Sequence, residues 1–148
     1  VGSALEKNGR VLSPLPTRDA VLPILCLLSL ARENVCRVSE LPPGLPARFT
    51  ASDRLQDFPS ATSRTILAEL AASSAAIDEL LAGLCGPVTG LDQTDGLRIF
   101  LENSEIVHFR PSGNAPELRC YAESDSQERS GLLVQECLHR MQARLEVA

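Results

Sequence analysis

The sequence predicts an α+β fold from about residue 46 onward: an antiparallel sheet with helices packed on one face. Three observations carry that expectation. The elements read strand, helices, hairpin strands, helix, the order of an α+β domain. Apolar and polar residues alternate within the strand runs, as in Leu118, Cys120 and Ala122 against Arg119, Tyr121 and Glu123. In the last segment Val134, Leu138, Met141 and Leu145 recur at intervals of four, three and four, which is one face of an amphipathic helix.

Taken in order, the polar opening Val1 to Arg10 and the apolar pair Val11-Leu12 read as the end of a loop and strand whose partners are missing. After the turn Ser13-Pro14-Leu15-Pro16, Thr17 is placed to cap a helix running to about Ala31, with Asp19 in its first turn favouring the helix dipole. Val21, Leu22, Ile24, Leu25, Leu27, Leu28 and Leu30 make this helix apolar nearly all round, a pattern of burial on several sides. Little else in the first 45 residues can cover it. Helix 17–31 is therefore expected to have packed on a larger partner domain, and to drive dimerisation without it. Ser39-Glu40-Leu41 starts a short helical turn that Pro42-Pro43-Gly44 ends. With Leu45-Pro46 this cluster is the expected boundary between residues 1–45 and 46–148.

Beyond it, Ala47 to Ser52 alternates as a strand. Ser60 or Thr62 is placed to cap a helix to about Ala72, with Ile66, Leu67 and Leu70 on one face. A second helical piece, Ala75 to Leu84, is closed by Gly86-Pro87. Three strand-like runs follow: Val88 to Leu91 leads through the turn-rich Asp92 to Gly96 into Leu97 to Leu101, and Glu102-Asn103-Ser104 makes a hairpin connection to Glu105 to Phe109. Glu117 to Glu123 is the next strand, after which Asp125 or Ser126 opens the last helix.

Composition narrows the function. The net charge of −5 argues against a nucleic-acid binder, whose affinity comes from clustered Lys and Arg. It leaves room for one local positive pocket. With no Trp, one Tyr and four Phe, the core must be built from Leu, Ile, Val and Ala. The five cysteines show no CxxC spacing and no zinc pattern with His108 or His139, and they point to a reducing cytoplasm. Cys26 and Cys137 lie in apolar helical patterns, where a thiol acts as a small hydrophobe. The apolar run Val21 to Ala31 contains Pro23 and is too short to span a bilayer.

The chemistry concentrates in Arg110-Pro111-Ser112-Gly113-Asn114-Ala115-Pro116, at the end of the strand Glu105 to Phe109. Arg110 shares a face with Ile106 and His108 and is expected to leave the strand at the edge of the turn. A guanidinium binds phosphate oxygens bidentately, turn amides form an anion-binding concavity, Ser112 and Asn114 add hydrogen bonds, and Gly113 allows close backbone approach. The plain alternative is an ordinary loop whose Ser, Gly and Asn satisfy turn geometry. Arg119 either reaches the same anion or pairs with a cross-strand acidic residue. His108 is an acid–base candidate or a half-exposed structural residue. Asp92 and Asp95 read as turn residues, since no further carboxylates follow at calcium-loop spacing. No P-loop, dinucleotide fingerprint or Ser-His-Asp spacing is present.

Asp95-Gly96-Leu97-Arg98-Ile99, then Arg110 to Arg119, then Tyr121-Ala122-Glu123 resemble the C-terminal domain of the α-D-phosphohexomutases, with the bacterial phosphomannomutases and phosphoglucomutases most similar. That family runs D-G-hydrophobic, then R-x-S-G/N-T-E-P, then an Arg-containing strand. Leu15 to Ala20 and the helix behind it resemble the end of the family's third domain. The resemblance implies a TATA-binding-protein-like fourth domain with a four-stranded sheet, preceded by a helical remnant of the α/β third domain. It also implies that Arg110, Ser112, Gly113 and Asn114 hold the non-reacting phosphate while hexose 1- and 6-phosphates interconvert through a bisphosphate. Asn114 stands where Thr is usual, and Ala115 where Glu is common.

The family's phosphoserine segment, Asp-Gly-Asp-x-Asp metal loop and sugar-reading loop are absent from the sequence. The resemblance therefore implies magnesium for the full-length enzyme, no cofactor on this chain and no catalysis by this chain alone. Its implied partners are a phosphosugar and the first three domains, with no nucleic acid and no membrane. The alternative class is a stand-alone, non-catalytic module that binds a phosphorylated ligand or a protein.

Overall fold

The computed structural model describes residues 4–7, 9–14, 20–41 and 47–147. Thr17, Asp19 and the Pro42 to Pro46 cluster, read above as cap, first turn and boundary, lie outside the described residues. Two compact units divide the chain, Val1–Pro46 and Ala47–Ala148.

In the first unit, β1 (Leu5–Lys7) pairs antiparallel with β2 (Arg10–Leu12) across a turn in which Gly9 has φ +71°. The partner of Val11-Leu12 is therefore the opening segment itself, which its polarity had disguised as loop. Helix α1 spans Val21–Glu33. Starting at Val21 puts Pro23 in the first turn, where a missing N–H leaves no intrahelical bond unmade. Val21, Ile24, Leu25, Leu27, Leu28 and Leu30 are exposed, and Cys26 with them, so this thiol is not a core hydrophobe. A 3₁₀ turn, Val38–Glu40, follows, tied by the Arg37 N–H donating to Glu40 Oε2 at 2.7 Å.

The second unit holds β3 (Phe49–Leu55), α2 (Ser60–Ala72), α3 (Ser74–Leu81), β4 (Val88–Asp92), β5 (Leu97–Leu101), β6 (Ile106–Pro111), β7 (Leu118–Ser124) and α4 (Gln127–Val147). Its sheet is antiparallel throughout in the order β3-β7-β6-β5-β4. It has five strands where four were expected. The count of four comes with the family resemblance; the five strand-like runs read from the residues, Val88 to Leu91 among them, all form strands, and the edge strand β4 joins β5 through a bulge between Val88 and Gly90. Alternation decides the two faces. Leu97, Ile99, Leu101, Val107, Phe109, Leu118, Cys120 and Ala122 point inward and are buried under α2, α3 and α4. Helix α4 supplies Leu133, Val134, Cys137, Leu138 and Met141 to that core, so Cys137 is the small hydrophobe its pattern implied.

Local chemistry sets the helix ends. Ser73 caps α3, its hydroxyl accepting from the Ala76 N–H at 3.2 Å, and Ser126 caps α4 by accepting from the Arg129 N–H at 3.2 Å. Helix α3 ends three residues earlier than expected. Gly83, at φ +67°, turns the chain there so that the Leu84 and Cys85 N–H groups close onto the Leu81 carbonyl. Helix α2 begins at Ser60 after Pro59, with no side-chain cap. The Ser60 hydroxyl is used elsewhere.

Candidate functional site

The Arg110 loop joins β6 to β7 where the open face of the sheet ends. Strand β6 continues through Pro111, so Arg110 lies within the strand rather than beyond it, opposite Arg119 on β7. Pro111 is tolerated because the β5 ladder stops at the Leu97–Phe109 pair and asks for no N–H beyond it. The loop closes when the Ser112 N–H donates to the Glu117 carbonyl at 2.9 Å and the Glu117 N–H to the Ala115 carbonyl at 2.8 Å.

A second segment holds this loop from beneath. The Phe58 N–H donates to the Pro116 carbonyl at 2.9 Å, and the Ser60 hydroxyl lies 3.1 Å from the Ser112 carbonyl and 3.4 Å from that of Ala115. Phe58 is fully buried below. Sequence reasoning placed Ser60 at a helix cap and missed this tie. No short-range signal reveals it, because the two segments meet only in the folded domain.

Of the predicted residues, Ser112 is nearly buried, and its hydroxyl accepts weakly from the Asn114 N–H at 3.4 Å. Gly113 and Asn114 are exposed at the tip. A Cβ on Gly113 would meet nothing within 4 Å, so its lack of a side chain matters only to something arriving from outside. Among the described residues, no hydrogen bond within the chain engages the N–H groups of Gly113 and Ala115. Two amides, one hydroxyl and one guanidinium therefore share the sheet end.

Arg110 Nε is held 2.9 Å from Asp95 Oδ2, with both side chains partly exposed. Such a partly exposed pair is worth little by itself. Asp95 thus acts on Arg110, although the sequence showed it only as a turn residue. Its neighbour Gly96, at φ +98°, lets the β4–β5 turn press on β6. A Cβ there would lie 2.1 Å from the Phe109 carbonyl oxygen and 3.0 Å from Arg110 Cα. Asp92 is a turn residue, its carboxylate accepting from the Thr94 N–H and hydroxyl at 2.8 and 2.6 Å, which lowers its pKa. Among the described residues, no group of three His, Cys, Asp or Glu is placed to hold a metal ion.

For Arg119 the structure excludes the cross-strand acidic pair. Its cross-strand neighbours are Arg110 on β6 and Arg54 on β3, not an acidic residue. Like charges directly opposed cost several tenths of a kcal/mol, up to about 1 kcal/mol per pair. Glu117 offsets part of this, lying 3.4 Å from Arg54 and 3.5 Å from Arg119. The Tyr121 side chain and then Glu117 raise the pKa of the Arg119 guanidinium. Arg54 was missed because the expected strand stopped at Ser52. Extended to Leu55, the same period-two pattern puts Thr50, Ser52 and Arg54 on one face.

One register step from the arginines lie Ser52, Tyr121, His108 and Arg98. The His108 and Tyr121 rings are 5.7 Å apart, and His108 Nε2 lies 2.6 Å from the Asp95 carbonyl oxygen. A carbonyl only accepts, so Nε2 carries the proton and His108 works here as a brace for the Asp95 turn. Arg98 pairs with Glu123 at 2.7 Å.

Comparison with known proteins shows the family. Residues 52–139 match the family model of the phosphoglucomutase/phosphomannomutase C-terminal domain. The chain is 41% identical over 145 residues to a phosphomannomutase of Salmonella muenchen, covering 98% of the chain and 30% of that protein. It is 41% identical over 128 residues to a phosphomannomutase of Sinorhizobium fredii, covering 86% of the chain and 27% of that protein. It thus spans less than a third of the length of either relative. Strands β4 to β7, the Ser52 to Leu55 part of β3 and the arginine loop fall within the matched region, and the chain belongs to the phosphoglucomutase/phosphomannomutase family as its C-terminal domain.

Proposed function

We propose that this chain is the phosphate-holding portion of a phosphohexomutase, most similar to phosphomannomutase, that interconverts hexose 1- and 6-phosphates through a bisphosphate. Arg110, Ser112, Gly113 and Asn114 hold the phosphate that is not reacting, and Arg119 supports them. The observation that carries this reading is the Arg110 loop. A guanidinium on a weak surface pair, a hydroxyl and two unengaged amides lie within six residues at one sheet end, braced from below by Phe58 and Ser60. This arrangement orients a dianion without acting on it, which is the positioning part of phosphoryl-transfer catalysis.

The chemistry itself belongs to parts of the complete enzyme that the relatives' greater length accommodates. The chain alone is inactive in this reading, for want of a nucleophile. Magnesium belongs to those other parts as well. Asp92 is engaged by Thr94 and Asp95 by Arg110, so these carboxylates do not fit a metal, and no step at this site runs through one. The exposed apolar face of α1 is covered by the rest of the whole protein, or by a second copy where the chain stands alone. Among the described residues no helix is long and apolar enough to cross a membrane. Unpaired cysteines support a cytoplasmic setting.

The test is Arg110→Ala in the complete enzyme. One charge-assisted contact is worth about 1.5–3 kcal/mol, so kcat/KM for hexose phosphate falls roughly 10- to 100-fold. Unchanged kcat/KM removes the phosphate-holding role.

A further inference from the structure

The row of arginines extends the site to a strand that the loop motif does not contain. Arg54 on β3, Arg119 on β7 and Arg110 on β6 stand at facing positions across the open face of the sheet. Two carboxylates serve these three cations: Glu117, shared at 3.4 and 3.5 Å, and Asp95 on Arg110 at 2.9 Å. Glu123, further along, is committed to Arg98. A third carboxylate, Asp53, is next to Arg54 on β3 but forms no ion pair with these guanidinium groups and accepts from the Arg54 backbone N–H at 2.8 Å, so the three cations share two ion-pair partners. Over the Arg54–Arg119 pair lies a depression of about 370 Å³, lined by Ser52, Asp53, Arg54, Arg119 and Tyr121. Ser52 and Tyr121 add hydroxyl donors to the two guanidinium groups, and Arg54 is half exposed and accessible.

We propose that Arg54 and Arg119 form an anion subsite, contiguous with the Arg110 loop, that binds further oxygens of the same phosphate monoester. Glu117 is the internal carboxylate that offsets the repulsion of the two guanidinium groups and orients them until the ligand arrives. The proposal rests on the phosphate-holding reading of the loop and makes Arg54 a specificity-determining residue for that ligand. Several guanidinium groups facing one ligand favour a dianion over a monoanion, since each added charge on the ligand is matched by a donor fork.

The experiment follows the arginine Nε–H and loop amide resonances of the ¹⁵N-labelled 148-residue chain during titration with inorganic phosphate, at about pH 5.5 and about pH 7.5, on either side of the phosphate ionisation near pH 6–7. Arg54, Arg119, Arg110 and Gly113 are expected to shift along one saturating curve, tighter at the higher pH. Arg54→Gln weakens that curve by about tenfold, the scale of one charge-assisted contact at an exposed site, and Arg54→Lys restores only part of it. If Arg110 and Gly113 shift while Arg54 and Arg119 do not, the subsite is overturned and the loop reading stands. If Arg54 and Arg119 respond without the loop, both the contiguous seat and the loop reading fall. No response at any of them at about 100 mM phosphate, weaker than any specific site, also overturns both.

Discussion

Gly96→Ala tests how the sheet positions Arg110. The substituted Cβ would lie 2.1 Å from the Phe109 carbonyl oxygen, 3.0 Å from Arg110 Cα and 3.1 Å from the Phe109 carbonyl carbon. Carbon–oxygen contacts relax at about 3.3 Å or more, so β5 and β6 must part by roughly 1 Å at this point. The neighbouring Leu97–Phe109 pair then loses one or two ladder bonds, at about 1 kcal/mol each. Holding alanine at φ +98° adds about 1–2 kcal/mol. Together these destabilise the domain by about 3 kcal/mol. Urea unfolding of the 148-residue chain, followed by far-UV circular dichroism, reads this as a midpoint lowered by about 1–3 M. A loss below about 0.5 kcal/mol, the size of an ordinary surface change, would refute the backbone contact as the reason for glycine.

Gly113→Ala is the counterpart: with open space around it, it changes stability by less than about 0.5 kcal/mol in the same assay, yet weakens phosphate binding in the titration above. A large unfolding shift would contradict the open surroundings of Gly113. The Arg129 hydrogen bonds hold the nearly buried Glu105 carboxyl below the usual carboxylate range. The folded state therefore binds fewer protons than the unfolded one. The pair's contribution is full above about pH 4.3 and is lost as pH falls toward the lowered value. Arg129→Met, which breaks the pair, costs roughly 3 kcal/mol near neutral pH and flattens the acid limb of the stability profile; an unaltered acid limb would remove this assignment. Burial, with Cys137 next in effect, pushes the Cys85 thiol up to about 12. In native protein near pH 8, iodoacetamide therefore labels exposed Cys26 before partly buried Cys85, whereas Cys120 and Cys137 react only on unfolding. Prompt labelling of Cys120 by mass spectrometry would contradict the packed core.

Period-two and helical patterns are short-range consequences of which face is buried, so they are readable without coordinates. They located β5, α2 and α4 closely, and they put Leu118, Cys120 and Ala122 inside with Arg119 and Tyr121 outside. Ends were less legible. A strand lasts as long as its neighbour pairs with it, so Arg54 joins β3 only because Arg119 lies opposite, and Pro111 stays in β6 because Leu118 does. Val88 to Leu91 was legible as a strand-like run, and Asp92 extends it because Arg98 on β5 pairs with it.

The Arg110 loop shows the division most clearly. The sequence by itself determined its chemistry, since a guanidinium, a hydroxyl, a carboxamide and a glycine within five residues suit an oxyanion in any orientation of the chain. Only the tertiary structure decided what surrounds it. Asp95 restrains the guanidinium, Ser60 and Phe58 support the turn, and Arg54 and Arg119 continue the charge across three strands. Those partners come from segments 15 to 56 positions away from Arg110 along the chain, apart from Arg119. Strand order and register choose which of them meet, and local sequence carries no record of that choice.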